Sequence, residues 1–525
     1  MSLALFAFGS NGNGQLGIAS DEDTSTPQQV HLIHHPCHAT HGRSPFIAFA
    51  SGGNHTALIT RQDQHLLMTG SNKDNESLLP EPTKVFQLHE IPLQQQQEEE
   101  EQQQLPERRL ERQPRWRSVA CGWAFTIAVT EPDIDTLHQE VFAWGSGSFG
   151  ELGLGPGVTK TGRQAKLIGT GLLDRATWTS PDHFQILQVR AGLRHVLLLA
   201  KEMTGSSTGH LTRTMLMAWG SNRQGQLGIL ERPQQLVATA LALTEKELRA
   251  KFFEPIRVVL PHRQANVGAT KVDLAQDQQH QQQTLPEIMD VACGQNHSLI
   301  LFTDGTVYAS GCNKYGQLGP NPVRKEHQSA PKFRVGFEKV HGLPYVNSIS
   351  CGWNHNAAMD TRRKAADDSG ESGSLTRIYL WGRNDHGQLG AGTAVQILSL
   401  DLNGDLSIPP TIVEVRIPRN SAFQGANADA DTTYEDIVSF SCGSEHTLVM
   451  ARSGHCYAWG WNEHGNCGSG EGDGHEGLKD VPAPRRVQFP TSPYPAGSAG
   501  EPEYGWVTGG YGSSWVWMPT NAAAS

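Results

Sequence analysis

Residues 291–319 read VACGQNHSLILFTDGTVYASGCNKYGQLG. Val291-Ala292-Cys293 is a short strand of small residues, and Gly294 breaks it. His297 to Phe302 form a second strand. Asp304-Gly305 is a hairpin turn, because this pair tolerates positive φ. Val307 to Ser310 form a third strand, and Gly311 through Gly319 a long turn with glycines at its tight corners. The unit is a small antiparallel sheet that cannot bury both faces alone. Such a unit is stable only beside copies of itself.

Copies surround it. The apolar-aromatic-Gly strand with its Gly-Gln-Leu-Gly turn recurs as LFAFGSNGNGQLG (5–17), VFAWGSGSFGELG (141–153), LMAWGSNRQGQLG (216–228), IYLWGRNDHGQLG (378–390) and CYAWGWNEHGNCG (456–468), with LLMTGSNKDNESL (66–78) a worn copy. A second signature, small-Cys-Gly-x-x-His, recurs around Gly52, Gly122, Gly192, Gly294, Gly352 and Gly443, and at Gly510 with Ser513 in the place of His. The chain opens on a first signature and ends on a second one, so its two ends complete one blade, 507–518 with 3–18. The expected fold is all-β: a single domain, 1–525, that is a seven-bladed β-propeller closed by pairing of N- and C-terminal strands. Trp144, Trp219, Trp381 and Trp459 share one repeat position and fill the layer between blades. Uneven spacing marks insertions at about 93–114, 229–287 and 393–436; the first is glutamine-rich, and ATALALTEKELRAKF (238–252) reads as a short helix within the second.

Composition agrees. In 525 residues there are 56 glycines without a collagen period, which fits many tight turns, and 18% charged residues, too few for a disordered chain. A net charge of −11 argues against direct nucleic-acid binding. No apolar run is long enough for a membrane helix, and the N-terminus lacks the basic region of a signal peptide. Eight cysteines without a CxxC pair suit a reducing compartment, and the expected localisation is cytoplasmic and nuclear.

No catalytic constellation stands out: Walker and HExxH patterns are missing. Gly12-x-Gly14-x-x-Gly17 matches the dinucleotide fingerprint but follows no βαβ pattern and has relatives along the chain, so it reads as a repeat turn. His55, His195, His297, His355 and His446 share one repeat place. Rotational copies lie far apart, so each is expected to hydrogen-bond within its own blade rather than to join a metal site. Cys121, Cys293, Cys351 and Cys442 read as buried thiols. The expected protein therefore has no cofactor, no metal and no enzymatic activity. Segment 456–468 departs most from its sister copies. The candidate partner-binding residues are Trp459, Trp461, His464, Asn466 and Cys467 there, with Trp123 and Trp353 just after the glycines of their copies. Aromatic side chains on a rigid ring make good anchors.

These paired signatures resemble the regulator-of-chromosome-condensation repeat family, over nearly the whole chain outside the insertions. More narrowly, AFGSNGNGQLGIASDEDTSTPQQV (7–30), ACGWAFT (120–126), WGWNEHGNCG (459–468) and GGYGSSWVWM (509–518) look like the fungal α-tubulin suppressor, or killer-toxin-insensitivity, propellers. That resemblance implies a non-enzymatic protein that partners a small zinc- or iron-binding diphthamide-biosynthesis protein, with Elongator as a further partner. It would support diphthamide formation on elongation factor two and Elongator-dependent tRNA wobble-uridine modification. The alternative is a guanine-nucleotide exchange factor for a small GTPase, as in the founding family member. Such a factor needs a loop wedge and often carries a basic tail, whereas this sequence begins directly in a strand.

Overall fold

The computed structural model describes residues 2–33, 44–88, 91, 114–134, 137–168, 184–202, 213–229, 251–258, 260, 286–320, 331–361, 376–392, 411–418, 434–468, 479–490 and 505–520. They build seven sheets, six antiparallel sheets of four strands and one of five in which Leu32–Ile33 runs parallel to Thr83–Leu88. In chain order the innermost strands are Phe46–Ser51, Trp116–Cys121, Phe184–Ala191, Ile288–Cys293, Ser348–Cys351, Ile437–Cys442 and Trp506–Gly509. They surround a central cavity of about 870 Å³ lined from every blade. The all-β, seven-bladed propeller expected above is the fold observed.

Closure uses two strands from each end of the chain. Ser2–Gly9 pairs with Ser513–Thr520 through eight residues in unbroken register, from Ser2 opposite Thr520 to Gly9 opposite Ser513. Trp506–Gly509 lies inside this pair and Thr24–Gln29 outside it. The pairing leaves no open edge between first and last blade.

Each blade carries an outermost strand that the sequence reading missed. Thr24–Gln29, Lys251–Arg257, Phe333–Lys339, Val413–Val415 and Val481–Arg486 are such strands. Two of them fall inside expected insertions. Lys251–Arg257 interrupts 229–287, and Val413–Val415 interrupts 393–436. An outer strand pairs on one side only, so it tolerates proline and needs little apolar alternation. Pro27, Pro255, Pro482 and Pro484 all sit in these strands, where they disguise them. The expected helix 238–252 is corrected at its end, since Lys251 and Phe252 begin a strand; residues 238–250 lie outside the described residues. So do residues 93–113 of the first insertion.

The core lies between blades. Trp144, Trp219, Trp381 and Trp459 are fully buried at their shared position. Each indole N–H of these reaches back to the preceding blade's long turn: Trp144 to Glu76 O at 2.9 Å, Trp219 to Glu151 O at 2.8 Å, Trp381 to Gln317 O at 3.0 Å and Trp459 to Gln388 O at 2.8 Å. One side chain thus buries a large apolar surface and satisfies a buried carbonyl.

Candidate partner-binding face

Both repeat signatures emerge on one face of the ring. The residue after each strand-ending glycine donates its N–H to the carbonyl just before the histidine position: Ser71 to Asn54, Ser146 to Ala124, Ser221 to Arg194, Cys312 to Asn296, Arg383 to Asn354, Trp461 to Glu445 and Ser10 to Gly512, at 2.7–2.9 Å. The glycine of Gly-x-x-His is required sterically. A Cβ on Gly294 would lie 2.1 Å from Cε1 of His297, which folds over it.

The histidines bridge blades, contrary to the expectation that each bonds within its own. Nε2 of His55 meets Thr126 Oγ1 at 2.8 Å, His195 meets Ser298 Oγ at 2.9 Å, His297 meets Asn356 Oδ1 at 2.7 Å, His355 meets Thr447 Oγ1 at 3.1 Å and His446 meets Ser514 Oγ at 2.9 Å. Every partner belongs to the next blade. The reason is orientation: the loop turns the imidazole outward from its own sheet, across the interface. The partner then donates onward to a turn carbonyl of the histidine's own blade, as Thr447 does to Gln388 O at 3.1 Å and Ser298 to Gln226 O at 2.8 Å. An engaged hydroxyl hydrogen fixes the imidazole as the Nε2–H tautomer. Burial pushes His55, His195, His355 and His446 down to about 3 and His297 to about 4, so all five are neutral. Where Phe125 replaces the histidine, Val196 replaces the hydroxyl across the interface. The exception proves the pairing, because the apolar change occurs on both sides.

The centre of the face is aromatic. Tyr511 sits between Trp123 and Trp353, with ring centroids 5.9 and 5.6 Å away and edge-to-face geometry. Trp123 is 43% exposed. The three rings sit above the inner ends of the strands that carry Cys121, Cys293, Cys351 and Cys442. These cysteines line the channel wall, Cys293 and Cys351 half-buried and Cys121 and Cys442 packed into the cores between blades. Burial pushes Cys121, Cys293 and Cys442 up to about 12, which keeps them protonated and poorly nucleophilic.

Segment 456–468 divides into surface and support. Trp461 and His464 stand at the rim, ring centroids 5.1 Å apart, and His464 Nδ1 pairs with Asp23 Oδ2 at 2.6 Å across the ring closure. Trp459, Asn466 and Cys467 are buried, so as surface anchors they are corrected to turn-holding residues. Asn466 is one methylene shorter than its Gln counterparts. Gln388 Oε1 receives the His386 N–H at 3.0 Å, whereas Asn466 folds back and donates to Trp461 O. Cys467 fills the leucine position, its thiol 3.5 Å from Trp461 O. The structure therefore brings Trp123 and Trp353 together at the centre and leaves Trp461 and His464 at the rim.

Sequence reasoning missed the charged residues of this face. Arg383 is held by Glu445 at 2.7 Å and Asp385 at 2.6 Å, and Gln388 Nε2 donates to the same Glu445 at 2.8 Å. Burial pushes the Glu445 carboxyl up while Arg383 opposes it. Burial also lifts Glu151, which replaces the turn glutamine, to about 7. For Glu445 the signal was available in a position that varies between copies, the residue before the histidine.

With this geometry, comparison with known proteins is informative. The RCC1-like domain family profile matches residues 4–512. The chain belongs to that family. It is 29% identical to the secretion-regulating guanine nucleotide exchange factor of Mus musculus over 498 residues, covering 93% of this chain and 80% of that protein. The Bos taurus counterpart is 28% identical, over 92% of this chain and 78% of that protein. Prp20p of Saccharomyces cerevisiae, a structure described with its binding properties to Gsp1p and histones, superposes with a TM-score of 0.60 over 99% of this chain and 92% of that one, at 18% identity, and shares the fold. These findings overturn the expected diphthamide and Elongator partnership. They also overturn the expectation of a protein without catalytic activity, since relatives that match nearly the full chain are exchange factors. The narrow resemblance rests on short runs, of which 459–468 is the most distinctive.

Proposed function

We propose that this RCC1-like propeller is a guanine-nucleotide exchange factor for a small GTPase. The carrying observation is the match to exchange factors along 93% of the chain. The geometry supports it. Exchange requires no nucleophile or acid–base pair, only a surface that binds the nucleotide-free GTPase more tightly than the loaded one. By linkage, such a surface lowers GDP affinity by the same factor. The rigid face centred on Trp123, Trp353 and Tyr511, with Trp461 and His464 at its rim, is the surface proposed for this contact. Cytoplasm and nucleus are the compartments proposed for it, testable by imaging the tagged full chain. Within the family, the WGWNEHGNCG run supports a lineage close to the fungal α-tubulin suppressor propellers.

The test is release of a fluorescent GDP analogue from a panel of purified small GTPases, in excess unlabelled nucleotide, with and without the full chain. Saturable acceleration for one GTPase is expected. Unchanged release across the panel would defeat the proposal.

A further inference from the structure

At the rim of the same face, three cations gather around one ring. Arg194 Cζ lies 4.3 Å from the Phe149 centroid, Arg223 Cζ 4.6 Å and Lys251 Nζ 5.2 Å. They come from three separate pieces of one blade: the Gly-x-x-His loop, the long turn and the start of the outer strand. Phe149 belongs to the turn of the preceding blade. Its backbone is pinned there, because a Cβ on Gly150 would stand 2.4 Å from Phe252 O.

At other blade junctions on this face cations have carboxylate partners: Arg383 has Glu445 and Asp385, Lys84 has Asp21 at 2.8 Å and Lys160 has Asp74 at 3.0 Å. Among the described residues, Arg194, Arg223 and Lys251 form no ion pair. The nearby carboxylates leave the cluster short of negative charge: Glu151, buried beneath, feels Arg194 and Lys251 through space, but burial lifts it to about 7 and its carboxyl accepts the Phe149 N–H at 2.6 Å, while Glu254 lies toward Gly155. In a chain of net charge −11, three unpaired cations held together cost mutual repulsion. The Phe149 quadrupole offsets part of it, and an external anion would offset more.

We infer that this cluster is a docking site for a carboxylate-rich segment of a protein partner. Its shape distinguishes carboxylates from phosphate. A phosphate cradle uses free backbone N–H groups, but here the turn spends its own: Phe149 N–H on Glu151 and Gly153 N–H on Gly150 O at 3.0 Å. What remains are two guanidinium forks and an ammonium spread around a ring, which suits several carboxylates along an extended chain, taken in fork-to-fork fashion. The site stands on observations separate from the exchange proposal and holds whichever GTPase is found.

The test uses the full chain and a fluorescein-labelled glutamate-rich peptide, with the Gln-for-Glu peptide of the same length as control. Saturable anisotropy change is expected with the acidic peptide only, weakening as salt rises. Arg223→Glu with Lys251→Gln is expected to weaken it about tenfold or more. Phe149→Leu, which keeps all three charges, is expected to weaken it a few-fold. An unchanged thermal midpoint in each variant separates docking from misfolding. Equal binding of the two peptides, no binding of the acidic one at low salt, or unaltered affinity in the charge variant would overturn the inference. Displacement by millimolar inorganic phosphate but not by glutamate would overturn it in favour of a phosphate site.

Discussion

His355 and Thr447 show how one side-chain pair joins two blades. The imidazole N–H gives its proton to the hydroxyl, and the hydroxyl gives its own to Gln388 O, which also receives Trp459. Thr447→Val removes the acceptor at nearly constant volume and strands a buried N–H, a loss of about 1–3 kcal/mol. His355→Phe in that background removes the stranded group, recreating the Phe125–Val196 arrangement, and is expected to recover most of the stability. A double-mutant cycle by thermal or denaturant melting reads this coupling; additive losses would contradict it. The same residues set a pH dependence. The five histidines bind protons at about 3–4 when folded and at about 6.5 when unfolded. Between those values the unfolded chain holds more protons, so stability declines as pH falls from about 6.5 and levels off once the folded values are passed. Glu151, Asp290 and Glu445, raised by burial, act in the opposite sense but are fewer. Melting near pH 5 is therefore expected to take up about three protons or more, measurable from the slope of Tm with pH. A flat Tm between about pH 6.5 and 4 would refute the assignment of five neutral imidazoles.

At the scale of strands and sheets, closure carries the largest single consequence. Removing Ser2–Gly9 strips eight paired residues from Ser513–Thr520 and uncovers the core around Trp515 and Trp517, both buried. An exposed apolar edge strand recruits other chains. The truncated protein is expected to form oligomers and lose its cooperative melt, as read by sedimentation velocity and calorimetry; a monomer with the full-length melting profile would contradict this. The inner three strands of each blade were legible in sequence because they are flanked by recurrent glycines, which answer to close contacts with their own blade's histidine loop and with the next blade. The outer strands were not, because pairing on one edge imposes little pattern, and prolines such as Pro255 and Pro482 read as breaks. The face was half legible. Trp123 and Trp353 announced themselves at equivalent copies, but Tyr511 completes their cluster only after the ring closes. The cations around Phe149 come from positions more than a hundred residues apart between Phe149 and Lys251, so no local window contains them. Trp459 and Cys467 misled as surface anchors because an unusual residue in a repeat signals altered packing as readily as altered binding.

For the whole molecule, the proposed exchange activity is a statement about two faces of one rigid ring. The aromatic cap, the rim pair and the charged junctions all sit on the face of the signature loops. The opposite face carries the short hairpins, such as the one at Arg61–Gln62. Catalysis by differential binding makes these faces unequal. Trp123→Ala removes a half-exposed indole and its edge contact to Tyr511, and a central aromatic anchor is worth about 2 kcal/mol or more at an interface. The expected outcome is a fall in kcat/KM for nucleotide release of about tenfold or more with an unchanged melting temperature, whereas Gln62→Ala on the opposite face leaves both as they were. Linkage adds a second reading from the same sample. If the ring holds the GTPase best when nucleotide is gone, the complex should persist through gel filtration in nucleotide-free buffer and dissociate on adding either GDP or GTP. Loss of activity from the hairpin face, or a complex indifferent to nucleotide, would move the contact off the surface that the repeat signatures build.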